Sequence, residues 1–339
     1  ALTPYSGMLP GLLAGHYTVA ESHVDLQPLC RFAGARLYHT AATGLDLAGR
    51  NVICEGRPPV AFDVLSIDTG STPSGLGIEG AELALPVKPV DRFLSGWEDI
   101  EAAILAAAGN FHVAVVGAGA GGVELALSLQ YRLRQKLAAQ DVAQGPKFSI
   151  LTLDAAPLPR HAPAVQRKMA RTLASRDVAL LTGRRVTRIE SRAVHWPGGR
   201  LDCDAVILVT QASAPAWLRD TGLALDATGF IKVDDCLRSI SHPQVFAAGD
   251  VAAFSPRPLE KSGVYAVRQG PVLAENLRAA LLGRPPAPYR PQARTLALIS
   301  TGDRNAIASY GSLALEGPAV WRWKDWIDRR FMRRYQVLP

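Results

Sequence analysis

Residues 111–129, FHVAVVGAGAGGVELALSL, restrict the fold more than any other stretch. A β-branched run opens it, a glycine cluster follows, and an alanine- and leucine-rich helical pattern closes it. The G-x-G-x-x-G spacing falls on Gly117, Gly119 and Gly122, at the join of strand and helix. Gly117 permits the tight turn. Gly119 lets the backbone close on a pyrophosphate, and Gly122 lets the helix pack tightly on the strand. The free N–H groups and the positive end of the helix dipole then face an anion. The stretch therefore predicts a dinucleotide-binding βαβ unit.

The second strand of such a unit carries an acid for the ribose. Residues 148–153, FSILTL, read as that strand, and Asp154 stands at its end. A carboxylate there accepts hydrogen bonds from the 2′- and 3′-hydroxyls and repels a 2′-phosphate, so NADH is favoured over NADPH. Gly122 and Asp154 lie 32 residues apart, where the compact motif has about 20. The polar stretch 135–147 absorbs the excess as a longer helix and loop. Arg160 is an alternative partner for a 2′-phosphate. Further α/β units follow: a helix over 164–176, strands over 178–181 and 186–190, and a fully buried strand over 205–210. The segments DVLSIDTGSTP and DAVILVTQASAP resemble one another and suggest two related α/β domains. A linker is expected at 85–91, where two prolines disfavour regular structure. Near the end of HPQVFAAGDVAAF a strand should stop at Gly249-Asp250, with a helix after it; Asp250 there can accept hydroxyl hydrogen bonds from a polyol. The helix expected over 263–282 can point its dipole at an anionic group through Gly263, Val264 and Tyr265.

The length of 339 residues suits about two domains, and 48% hydrophobic with 20% charged residues is a globular balance. This excludes a disordered chain or a coiled coil, and no window holds the roughly 18 apolar residues of a spanning helix. The opening residues lack the basic start of a signal peptide. Cys30, Cys54, Cys203 and Cys236 form no CxxC pair, so reduced thiols in a cytoplasmic protein are expected, with no metal site; His16 and His23 alone do not make one. The formal net charge is +7, of which residues 321–335 supply +4, so no nucleic-acid partner is implied. In that segment Trp323, Ile327 and Phe331 share one helix face, with Arg322, Arg329, Arg330 and Arg333 on the others. Such a helix can serve a homodimer contact or a peripheral contact with the inner face of a membrane. Residues 285–291, PPAPYRP, read as a linker.

Taken in order, DTGSTP, VVGAGAGGVE, LTLDAAP, VTQASAP and VFAAGDVAAF resemble the FAD-dependent pyridine nucleotide-disulfide oxidoreductase superfamily, and type II NADH dehydrogenases in particular. TPYSGMLPGLLAGHY, LISTGDRNAIASYG and WRWKDWIDRRFMRRY resemble a narrower group that also forms the N-terminal half of fused selenide, water dikinases. The resemblance implies an α/β fold of two Rossmann-like domains, one for FAD and one for NAD(P), plus a small C-terminal α/β interface domain. The implied segments are 1–90 and 233–288 for FAD, 91–232 for NAD(P)H and 289–339 for the interface. Asp250, after Gly249, would bind the ribityl chain, and Thr69 and Gly70 would lie beside FAD. The helix from Gly263 would face the pyrimidine edge of the flavin. Glu124 and Lys261 would be the polar groups nearest the chemistry.

The implied reaction is hydride transfer from NADH to flavin and on to a small-molecule acceptor, quinone or another. A flavoprotein acting on a sulfur or selenium species, or a non-catalytic scaffold, are the alternatives. Three departures bear on these. The family's first βαβ unit, with its own glycine motif for FAD, is not found. Ala212 replaces a glycine in the second ATG-like turn. Of the two glutamines of the quinone motif, Gln269 fits but Val264 stands where the other belongs.

Overall fold

The computed structural model describes residues 2–73, 77–209 and 212–338. The chain falls into two compact units, one of residues 1–36, 75–211 and 294–339, the other of 37–74 and 212–293.

The first unit is built on a five-stranded parallel sheet, ordered Val178–Leu181, Lys147–Leu151, His112–Val116, Ala205–Leu208, Leu85–Pro86. The apolar run His112–Val116 lies at its centre because both faces need cover. Val113 and Val115 pack with Val123 and Leu127 of the helix Ala120–Ala138, with Phe93 and Trp97 of the helix Val90–Ala106, and with Met169 of the helix Pro163–Ser175. Ala114 and Val116 point the other way, into a cluster with Ile189, Val194 and Cys203. That side is closed by an antiparallel meander of Arg188–Glu190, Ala193–Trp196 and Gly199–Asp202. Side-chain alternation with period two explains the division.

Residues 85–91 are not a linker. Leu85–Pro86 is the edge strand of the sheet, and Pro89 is the N-cap of the next helix. An edge strand and a helix start are the two places where a missing N–H costs little. Within the segment expected from 289 as an interface domain, residues from 294 onward belong to the first unit. There Ala297–Ser300, Ala306–Tyr310 and Leu313–Gly317 form an antiparallel sheet followed by the helix Pro318–Gln336. Ile299 and Ile307 join the core of Val123 and Leu127.

The inward face of that last helix is not the one its apolar spacing suggests. Val320, Lys324, Asp328 and Met332 are buried, whereas Trp323 and Trp326 are 44% and 57% exposed. Lys324 Nζ donates to Asp328 Oδ2 at 2.6 Å and also to the Gly7 carbonyl, so the buried charges satisfy each other. No helix among the described residues is long and apolar enough to cross a membrane.

In the second unit Leu65–Ile67 pairs in parallel with Val245–Ala247, and Ile231–Val233 with Ala252–Phe254. Phe246, Ile231, Val233 and Leu237 form its core with Leu273 of the helix Gly263–Leu281. Tyr289, in the proline-rich stretch, is buried there against Phe254. The two similar segments meet where Thr72–Pro73 pairs with Ala212–Ser213. After Asp250 no helix follows: a single 3-10 turn, Gly249–Val251, leads directly into the strand Ala252–Phe254.

Candidate functional site

In the first unit, the strand His112–Val116 ends at Gly117, whose φ of +120° makes the turn that brings in the helix. Gly119 is the N-cap, and a Cβ placed there would meet open space. A Cβ at Gly122 would collide with the Gly117 carbonyl oxygen, so only glycine allows this turn to close. The next strand ends one position before Thr152. Thr152 Oγ1 donates to Asp154 Oδ2 at 3.1 Å and accepts from the Asp154 N–H at 3.2 Å. This holds an exposed carboxylate beside the glycine turn on the neighbouring strand end.

Glu124 lies one turn into the same helix. Its carboxylate accepts the Ser300 N–H at 2.7 Å from the C-terminal sheet. Burial raises its pKa to about 7; the Lys324 ammonium and the Ser300 hydrogen bond pull it down, and Asp328 adds to the rise. Glu124 can thus hold or release a proton near neutrality. Ser300, Lys324 and Asp328 carried no local sequence signal for this role, because they arrive from more than 170 residues away.

In the second unit, Gly249 takes φ +68° after the strand Val245–Ala247, and its N–H donates to Gln269 Oε1 at 2.7 Å. A Cβ there would sit 3.3 Å from that of Ala266. The glycine therefore lets the helix Gly263–Leu281 approach the strand end. Ser71 Oγ donates to Asp250 Oδ2 at 3.1 Å, a contact that sequence reasoning missed because 179 residues separate the two. Gly70 has φ +71° with open space where a Cβ would be, and Thr69 precedes it. Ser262 caps the helix by accepting the Val264 N–H at 3.4 Å; Gly263, Val264 and Tyr265 form its first turn. Lys261 Nζ donates to the Ala252 carbonyl at 2.7 Å and lies 3.7 Å from the centre of the Phe230 ring. Burial lowers its pKa, against the pull of Asp226 and Asp250.

The remaining candidates are structural in their contacts. The Gln269 side-chain oxygen is engaged by Gly249. Cys203 and Cys236 are free thiols, both pushed up to about 11 by burial and neighbouring aspartates. Asp234, Asp235 and Cys236 cluster, but Asp234 is engaged by two backbone N–H groups and by Arg238. His16 and His23 do not share a helix face: His23 begins the strand His23–Asp25 and His16 sits in a turn.

The family described as Pyridine nucleotide-disulphide oxidoreductase matches residues 23–271. A probable ferredoxin reductase, CtmF, of Castellaniella defragrans is 31% identical over 262 residues, covering 73% of this chain and 58% of that protein. The chain therefore spans little more than half the length of that relative. The type II NADH:quinone oxidoreductase Ndh of Mycobacterium tuberculosis is 26% identical over 310 residues, covering 82% and 66% respectively. Among solved structures, NDH2 from Plasmodium falciparum in complex with NADH superposes with a TM-score of 0.81 at 14% identity, over 99% of this chain and 91% of that one. This likeness shows the fold: a mixed α/β, two-domain architecture of Rossmann type. The matched segment carries the glycine turn, Asp154 at the neighbouring strand end and the Gly249-Asp250 strand end, and the chain belongs to the pyridine nucleotide-disulphide oxidoreductases.

Proposed function

We propose that the chain is an FAD-dependent NAD(P)H oxidoreductase. The observation that carries this reading is the presence, in one chain, of a glycine-turn cradle and of a glycine-aspartate strand end capped by a helix. In this family FAD supplies two-electron chemistry, taking a hydride from NAD(P)H and passing electrons to an acceptor. Gly117, Gly119 and Gly122 hold the pyrophosphate of the nicotinamide nucleotide, and Asp154 holds its ribose, favouring NADH. Asp250, steadied by Ser71, accepts hydroxyls of the flavin side chain beside Thr69 and Gly70. The first turn at Gly263, Val264 and Tyr265 turns its dipole toward negative charge. Lys261, tied to Ala252, stiffens the approach to that turn. Glu124 stores a proton for the acceptor's reduction.

In this assignment the second unit, residues 37–74 and 212–293, serves FAD, and the parallel sheet of the first unit serves NAD(P)H; the boundaries expected at 90 and 232 give way to those of the two units. The 289–339 segment provides a contact with a second copy or a membrane. Its exposed Trp323 adjoins a groove of about 300 Å³ lined also by Leu296, Leu313 and Leu315. The acceptor is a quinone, a ferredoxin or another small molecule or protein, as the named relatives use.

An anaerobic NADH titration of the purified protein tests the reading. Flavin absorption bands should bleach stoichiometrically, and Asp250→Ala should purify with little flavin. A protein that stays colourless after FAD is added would overturn it.

A further inference from the structure

Three distinctive stretches, 3–17, 298–311 and 321–335, meet in the first unit around one imidazole. His16 Nε2 lies 2.8 Å from the Gly302 carbonyl. A carbonyl only accepts, so Nε2 carries the proton and Nδ1 of the neutral ring is an acceptor. The rings of Tyr131 and Trp321 flank it, each with its centroid 5.5 Å away. Arg132, next to Tyr131 on the glycine-turn helix, packs so closely on Gly15 that a Cβ there would sit 2.8 Å from its Nη1. Arg304 places its guanidinium 5.7 Å from the centre of the Trp321 ring. It does so from a left-handed backbone, φ +59°, that a non-glycine residue seldom adopts.

The charges around this corner are one-sided. Desolvation lowers the proton affinity of His16, and Arg304 and Arg132 lower it further, against the Gly302 carbonyl and Asp325. Among the described residues, neither arginine side chain makes a hydrogen bond or ion pair. The acids close by are engaged elsewhere. Asp325 accepts from Tyr17 and Arg329. Asp303 accepts from Arg176, Thr301 and Asn305. Two guanidiniums close to one half-buried histidine oppose its charged form, and their N–H donors face solvent rather than a carboxylate.

We infer that His16, Arg132 and Arg304 form a binding site for a compact oxyanion, a carboxylate or a phosphate-like group, seated against Trp321. The planar guanidinium matches both anions through paired N–H donors, and Arg304 is already oriented by the indole. A bound anion offsets the two arginines, so His16 protonates more readily when the site is filled, and the anion binds more tightly once it does.

The test follows the His16 Cε1–H resonance against pH in the full chain, assigned with His16→Asn. Inorganic phosphate and acetate are added in separate arms. A rise in the His16 midpoint with phosphate assigns a tetrahedral anion, and a rise with acetate a planar one. Arg304→Gln, at an exposed position, should raise the anion-free midpoint and weaken the effective anion by about tenfold or more. Arg304→Lys should keep much of it. Calorimetric titration of the same anions checks affinity independently. A His16 midpoint unmoved by both anions at tens of millimolar, or an equal response in Arg304→Gln, would overturn the assignment.

Discussion

Replacing Glu124 by glutamine removes a charge that the fold disfavours. In the folded chain the carboxyl is raised from its ordinary 4.5 to about 7, chiefly by burial. An acid raised in this way binds more protons folded than unfolded throughout that interval. Stability therefore falls as pH rises from 4.5 to about 7 and is then level. At about 1.4 kcal/mol per pH unit, the interval amounts to about 3 kcal/mol. Glutamine keeps an oxygen to accept the Ser300 N–H but cannot ionise. Glu124→Gln should thus match the wild type near pH 4 and exceed it by up to about 3 kcal/mol at pH 8. Urea unfolding of both proteins across this range measures the difference. Infrared difference spectra should show a protonated-carboxyl band, lost near neutrality, only in the wild type. Parallel stability curves would refute the reasoning. So would a glutamine variant less stable at pH 8, since that would mean Lys324 holds the carboxylate more strongly than burial opposes it.

Gly122→Ala drives a methyl into the Gly117 carbonyl oxygen, so it should cost about 1–3 kcal/mol in urea unfolding and abolish NADH binding in fluorescence titrations. Asp154→Ala should raise the dissociation constant for NADH about tenfold and that for NADPH much less; equal effects would place the ribose acid elsewhere. Lys324→Met leaves Asp328 buried without its partner and should cost about 3–5 kcal/mol, whereas Lys324→Met with Asp328→Leu should recover most of the loss in the same unfolding assay.

What could be read from the sequence is what short-range patterns encode. The change from period two to period 3.6 around three glycines located the strand His112–Val116 and the helix after it, and Pro163–Ser175 and Val178–Leu181 fell within a residue of expectation. The strand Leu85–Pro86 was hidden because its prolines read as breakers, and only the finished sheet shows that it is an edge. The buried face of Pro318–Gln336 was hidden for a different reason. Apolar spacing selects Trp323, Ile327 and Phe331, but a lysine and an aspartate four residues apart can be buried when each satisfies the other. A hydrophobicity pattern cannot register that pairing. Ser71 beside Asp250 and Ser300 on Glu124 were equally invisible, since serines give no signal until the chain places them.

The proton affinity of Glu124 belongs to the C-terminal segment as much as to the helix that carries it. The strand Ala297–Ser300 supplies the N–H on its carboxylate, and Ile299 packs into the core beside Val123 and Leu127. Two residues beyond the strand, a Cβ at Gly302 would lie 2.5 Å from the Leu127 carbonyl, so the chain can pass this close only as glycine. The Lys324 ammonium that opposes the burial comes from the following helix, where Asp328 and the Gly7 carbonyl fix it. In this unit the glycine turn opens the helix, and residues 294–338 remove water from the acid one helical turn away. The strands and helix laid over it convert a surface carboxylate into a group that exchanges its proton near neutral pH.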